Sequence, residues 1–132
     1  MLYVPYLAII AAYALIIVPR LVAGREMTKL AGGYDNHDPR SQQQQLVGFG
    51  KRATAAHYNA IEAFPPFTIA VLAALQRAVS VTAVASLAIA FIALRTVYLF
   101  GYLRDTPSLR SGAWTLGVLA TTALMVLAVI GG

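Results

Sequence analysis

The chain has 132 residues, 59% of them hydrophobic and only 11% charged, a balance that excludes an ordinary soluble globular domain. It contains no cysteine, which excludes disulfides, thiolate metal sites and a cysteine nucleophile, so any sulfur chemistry has to come from a ligand. The net charge of +5 does not indicate a nucleic-acid partner, because the basic residues are spread over several segment ends instead of forming one soluble face.

The first apolar run covers about 2–23 and is interrupted only by Pro5, Pro19 and Arg20. It has no basic segment ahead of it and no small-residue cleavage site before Pro19, so it reads as a retained helix, not a secretory signal. Tyr3 and Tyr6 read as interfacial anchors. Residues 24–50 form the one long polar segment. Asp35, Asn36 and Asp38 precede Pro39 as Asx-turn residues, Ser41 is the expected cap of a short helix through Gln42–Gln45, and no metal site is expected there.

Three further apolar runs follow at about 52–76, 78–103 and 109–130. A spanning helix needs about 20 mainly apolar residues, whereas spanning strands are short and alternating. The expected architecture is therefore all-α, a single antiparallel four-helix membrane domain over 1–132. Only Arg77 to Ser80 separate the second span from the third, which makes those two a hairpin. Arg20, Arg25, Lys29, Arg40, Lys51 and Arg52 flank the first connection and Arg104 and Arg110 the third, so the positive-inside rule places these connections in the cytoplasm and both termini on the other side.

Charged groups inside a span cost roughly 2.5–3.5 kcal/mol each on insertion scales, so the exceptions carry information. In the second span Arg52, Asn59 and Glu62 fall on one helical face, with His57 offset from it. Glu62 lies about 15 Å along the helix from Arg52 and needs a partner or a proton. Pro65 and Pro66 are expected to bend or loosen the helix just beyond it. In the third span Arg95, Tyr98 and Tyr102 stand at i, i+3 and i+7, one stripe of a guanidinium and two phenols; Arg95 either snorkels to the interface or takes an internal partner, for which Glu62 is an obvious candidate. Read as architecture alone, these groups are a brace between helices; read as function, they line a site for a polar ligand.

His57-x-Asn59-x-x-Glu62 with Pro65 and Phe67, then Arg95-x-x-Tyr98-x-x-x-Tyr102, then Arg110-Ser111 opening the fourth span, together resemble the MAPEG family, membrane-associated proteins in eicosanoid and glutathione metabolism, in a bacterial form. The resemblance covers essentially the whole chain. It implies a homotrimer in the cell inner membrane, with glutathione as co-substrate held between protomers near the cytoplasmic side. Asn59, Glu62, Tyr98 and Tyr102 match positions that contact or line the glutathione site, Arg110 matches the arginine that stabilises the thiolate, and Ser111 stands beside it. Arg20, Arg52, His57 and Arg95 complete the implied binding set, while Ala55 stands where many members carry an arginine.

Two functions are compatible with that pattern. One is a glutathione-dependent transferase or peroxidase acting on a lipophilic small molecule that enters from the bilayer. The other is a non-enzymatic lipid-binding protein or an accessory subunit of a larger membrane complex. A transporter is disfavoured, because the far halves of the spans are too apolar to line a pore.

Overall fold

Apolar runs of this length fold as helices because hydrocarbon offers no partner to a backbone N–H or C=O, so each must be satisfied within its own segment. The computed structural model describes residues 1–131 and has five helices: α1 (Val4–Met27), α2 (Pro39–Gln44), α3 (Gly48–Gln76), α4 (Val81–Leu103) and α5 (Pro107–Ile130). All but α2 are long and apolar enough to cross a membrane, and no strand occurs among the described residues. Pro5, Pro39 and Pro107 stand in the first turns of α1, α2 and α5, where a missing N–H costs nothing.

The spanning helices run up and down. α1 packs on α3 and α4, α5 packs on α4 and α3, α3 meets α4 across the centre, and α1 and α5 do not touch. Small residues make the close contacts, with Ala8, Ala12, Ala70, Ala74, Ala88 and Ala120 buried in one core cluster that also holds Leu124. Phe67 and Phe91 stack at the centre, ring centroids 3.9 Å apart and 7° from parallel. Lipid is as apolar as these side chains, so dispersion and close backbone approach hold the helices together, not escape from water.

Pro65 and Pro66 leave α3 a continuous helix from Gly48 to Gln76, so neither breaks it. Pro19 likewise lies inside α1. Its ring crowds the Leu15 carbonyl, which also loses its N–H partner, and disturbs that turn. The neighbouring Ile16 carbonyl accepts a hydrogen bond of 2.9 Å from Nδ1 of His57 on α3, which sets the ring's tautomer, since a carbonyl only accepts.

Both short turns end their helices in the same way. Ala78 and Asp105 adopt the left-handed region, at φ 55° and 57°. The next residue bonds back five positions, Val79 N–H to the Ala74 carbonyl at 3.1 Å and Thr106 N–H to the Gly101 carbonyl at 2.9 Å, with the companion bonds from Ala78 to Leu75 and from Asp105 to Tyr102. These are Schellman closures, which satisfy the last carbonyls and reverse the chain at once.

Residues 28–47 are knitted onto the bundle by side chains. Asp35 accepts from the N–H groups of His37 and Asp38 at 2.8 and 3.2 Å, the expected Asx arrangement. The cap of α2 is Asp38, not Ser41: its carboxylate accepts from the Ser41 N–H at 3.2 Å, because the cap must precede the first helical residue, Pro39. Buried Gln42 accepts from the Asp35 N–H and donates to the Gly33 carbonyl, while Arg40 and Gln43 both donate to the Tyr58 hydroxyl on α3.

Hydrogen bonds from Ser41, through its side chain and then its backbone N–H, hold the Asp38 carboxyl below its ordinary value of 3.8. A folded-state value below the unfolded one stabilises above the unfolded value and fades as the pH falls through the folded one. The protection factors of the Ser41 and Gln42 amides, exchange rates corrected for the intrinsic pH dependence, are therefore expected to be constant from neutral pH down to the ordinary carboxylate range, to fall below it, and to be low at all pH values in Asp38→Ala.

Candidate functional site

The second half of α4 presents Arg95, Tyr98 and Tyr102 along one face, and the Schellman turn at Asp105 brings the first turn of α5 back against it. The approach is close: a Cβ on Gly101 would stand 3.0 Å from the Arg110 backbone nitrogen. The four side chains then form a ladder. The Arg95 guanidinium carbon lies 4.3 Å from the Tyr98 ring centroid, Tyr98 meets Tyr102 edge to face at 5.3 Å, and the Arg110 guanidinium carbon lies 4.6 Å from the Tyr102 centroid. Cation–π contacts of this kind are worth about 2 kcal/mol where desolvated.

Arg95 is only 6% exposed and has no hydrogen bond or ion pair among the described residues. The expected Arg95–Glu62 pair does not form, although Glu62 is within Coulombic reach. The face of the Tyr98 ring offers the guanidinium a partner on its own helix, and the exposed Glu62 carboxylate instead accepts from the Asn59 amide at 3.4 Å. Arg95 also lines a recess of about 190 Å³ between α3, α4 and α5, with Pro66, Phe91, Trp114, Gly117 and Thr121.

Arg52 reaches the same hairpin from α3. It donates to the Leu103 carbonyl at 3.5 Å and lies 3.6 Å from the Asp105 carboxylate, which ties α3 to the turn, while its Nε is buried without a hydrogen-bond partner. Ser111 is exposed just beyond the first turn of α5. The structure thus gathers Arg52, Arg95, Tyr98, Tyr102 and Arg110 around one hairpin and leaves the Asn59–Glu62 pair on the outer surface of α3, with Asn59 Oδ1 buried and without a hydrogen-bond partner.

Two of the expected site residues lie elsewhere in the protomer. His57 turns towards α1 and binds the Ile16 carbonyl. Arg20 lies on α1, where its guanidinium meets the Met27 sulfur at 3.7 Å. Sequence reasoning passed over Tyr58, which anchors the 28–47 loop, and Thr121 on the wall of the recess. The signal for Tyr58 was available, since a tyrosine beside a charged stripe has one polar atom to satisfy. No cluster of three or more metal-ligating side chains occurs among the described residues.

Across this architecture, residues 3–130 match the sequence model of the MAPEG family. The chain belongs to the MAPEG family. No curated protein and no solved structure matches it. For a MAPEG protein the order of the polar groups along the chain now has a spatial counterpart in the α4–α5 ladder and the Asn59–Glu62 pair.

His57, by its contacts, holds the proline turn of α1. His57→Ala is expected to lower the thermal midpoint, at a cost of about 1–3 kcal/mol for the interhelical hydrogen bond and the buried imidazole that are lost, and to leave ligand affinity at the α4–α5 ladder within about twofold. Thermal unfolding in detergent beside ligand titration checks both; a large loss of affinity with unchanged stability would place His57 in the site.

Proposed function

We propose that this MAPEG protein is a glutathione-dependent membrane transferase or peroxidase acting on lipophilic electrophiles, with its site between adjacent protomers of a homotrimer. The observation that carries this reading is the Arg95–Tyr98–Tyr102–Arg110 ladder together with an exposed carboxylate, Glu62, at the middle of α3. A carboxylate at that depth cannot face hydrocarbon without a large cost. A neighbouring protomer, with a zwitterionic ligand between, removes that cost.

Glutathione has two carboxylates, one ammonium and one thiol, and the chemistry of these side chains suits it. Glu62 takes the ammonium, with Asn59 beside it; Tyr98 and Tyr102 offer phenols to the peptide backbone, and Arg95 offers a guanidinium to a carboxylate. Arg110 stands at the opening of α5, where a guanidinium and the positive end of the helix both favour a thiolate over a thiol. The thiolate attacks the electrophilic carbon, a C–S bond forms, and the electron pair of the breaking bond leaves on the substrate, where it takes up a proton. With a hydroperoxide the thiolate attacks the terminal oxygen, an S–O bond forms as the O–O bond breaks, the alkoxide leaves and takes up a proton as the alcohol, and a second glutathione thiol displaces water from the resulting sulfenic acid to give the disulfide. Ser111 is the hydroxyl nearest in sequence to hydrogen-bond the sulfur.

In this reading the chain is one four-span domain in the cell inner membrane, with the loop-bearing end in the cytoplasm and both termini outside, as the distribution of arginine and lysine favours. A second reading is a non-enzymatic MAPEG-fold subunit or lipid-binding protein. It is favoured by Arg52, whose engagement with Leu103 and Asp105 leaves less of it for a carboxylate, and by Ala55, which offers none.

Calorimetry and the ultraviolet absorbance of the thiolate, on protein purified in detergent, test the proposal. Saturable glutathione binding is expected, with Arg110→Ala abolishing the thiolate signal and lowering kcat by roughly 10²–10³ at nearly unchanged affinity. Glu62→Ala is expected to weaken binding by about tenfold or more. No binding at millimolar glutathione would leave the subunit reading.

A further inference from the structure

The loop-bearing end of α1 carries a second recess, on the outside of the bundle and away from the α4–α5 ladder. It measures about 410 Å³ and is lined by Arg20, Leu21, Gly24, Arg25, Thr28 and Tyr34. We propose that it binds the phosphate headgroup of an anionic phospholipid. The inference does not rest on the glutathione reading, and it gives Arg20, which the family resemblance assigns to glutathione, to the lipid instead.

Three observations point to a phosphate. First, neither guanidinium has an ion pair among the described residues: the one carboxylate in these turns, Glu26, is held by Lys29 at 2.6 Å, and the only partner of Arg20 is the Met27 thioether. Second, the Tyr34 phenol, folded back from the loop, has no hydrogen-bond partner among the described residues and adds a third donor. Third, packing does not require the recess. Gly24 lies inside α1, where glycine is less favourable than alanine, and a Cβ built on it would meet no atom within 4 Å. The space that the missing side chain leaves forms part of this recess.

The position selects a lipid over a free anion. Arg20 and Arg25 stand in the last two turns of a helix long and apolar enough to cross the membrane, at headgroup depth for a helix that ends at Met27. Above the recess the exposed side chains Tyr6, Ile10, Tyr13, Ile17 and Leu21 follow one another at spacings of three and four along α1, a track on which acyl chains can lie. Guanidinium pairs take phosphate oxygens in two parallel hydrogen bonds, so two arginines and a phenol can saturate one phosphodiester.

Native mass spectrometry of the full-length protein, offered equal amounts of phosphatidylglycerol and phosphatidylcholine with matched chains, tests the site. A retained phosphatidylglycerol adduct is expected to exceed the phosphatidylcholine adduct by about tenfold, to fall roughly fivefold in Arg25→Gln and further in the Arg20→Gln, Arg25→Gln double variant. Gly24→Leu is expected to fill the recess and remove the preference while circular dichroism and elution volume stay as in the wild type. Equal retention of the two lipids, a preference that survives Gly24→Leu, or displacement of the lipid by millimolar inorganic phosphate would overturn the proposal, the last by assigning the recess to a free anion.

Discussion

Hydrocarbon supplies no hydrogen-bond partner and no counter-ion, so each polar group that this chain carries into its spans has to find one in protein. Arg95 finds the face of Tyr98, Arg110 the face of Tyr102, His57 the Ile16 carbonyl beside a proline, and Arg52 the carbonyl and carboxylate of a turn. Glu62 has only the Asn59 amide and faces outwards. The pairing is incomplete on α3, where Arg52 Nε and Asn59 Oδ1 are buried without a partner, and the outward-facing Glu62 carboxylate marks the surface that needs one from outside the protomer.

The α4–α5 hairpin translates that constraint into a site. Without a side chain at Gly101 the backbone of α5 comes close enough for Arg110 to reach the Tyr102 ring, and the closure at Asp105 sets the register in which it does so. Two aromatic rings therefore stand between two fixed cations. A site of this kind is held by regular helices and a satisfied turn, so its polar groups keep their places without a ligand.

The sequence made the long features legible. Four apolar runs separated by polar or very short connections can be little else than a helical membrane bundle, and the Arg95, Tyr98, Tyr102 stripe follows from the spacing alone. Which partner each polar group takes was not legible, because it depends on how each helix is rotated about its axis, and a chain so uniformly apolar says little about rotation. The offset of His57 from the Arg52, Asn59, Glu62 face was readable; that the offset points it to the proline turn of α1 was not. Arg95 and Glu62 have opposite charges on neighbouring helices, yet an aromatic face on Arg95's own helix gives it a nearer partner. The cap of α2 moved from Ser41 to Asp38 for a local reason, since Pro39 opens the helix and the cap must stand before it.

The two Schellman turns also bear on biogenesis. Residues 77–80 and 104–106 are too few to carry any polar domain between the spans they join, so α3, α4 and α5 leave the ribosome as one continuous run of hairpins. α1 is separated from them by the 28–47 loop and enters the bilayer alone, with the Leu15 carbonyl deprived of its N–H partner by Pro19 and that turn not yet braced by His57. Assembly is then the docking of a lone helix onto a hairpin array, completed when His57 arrives.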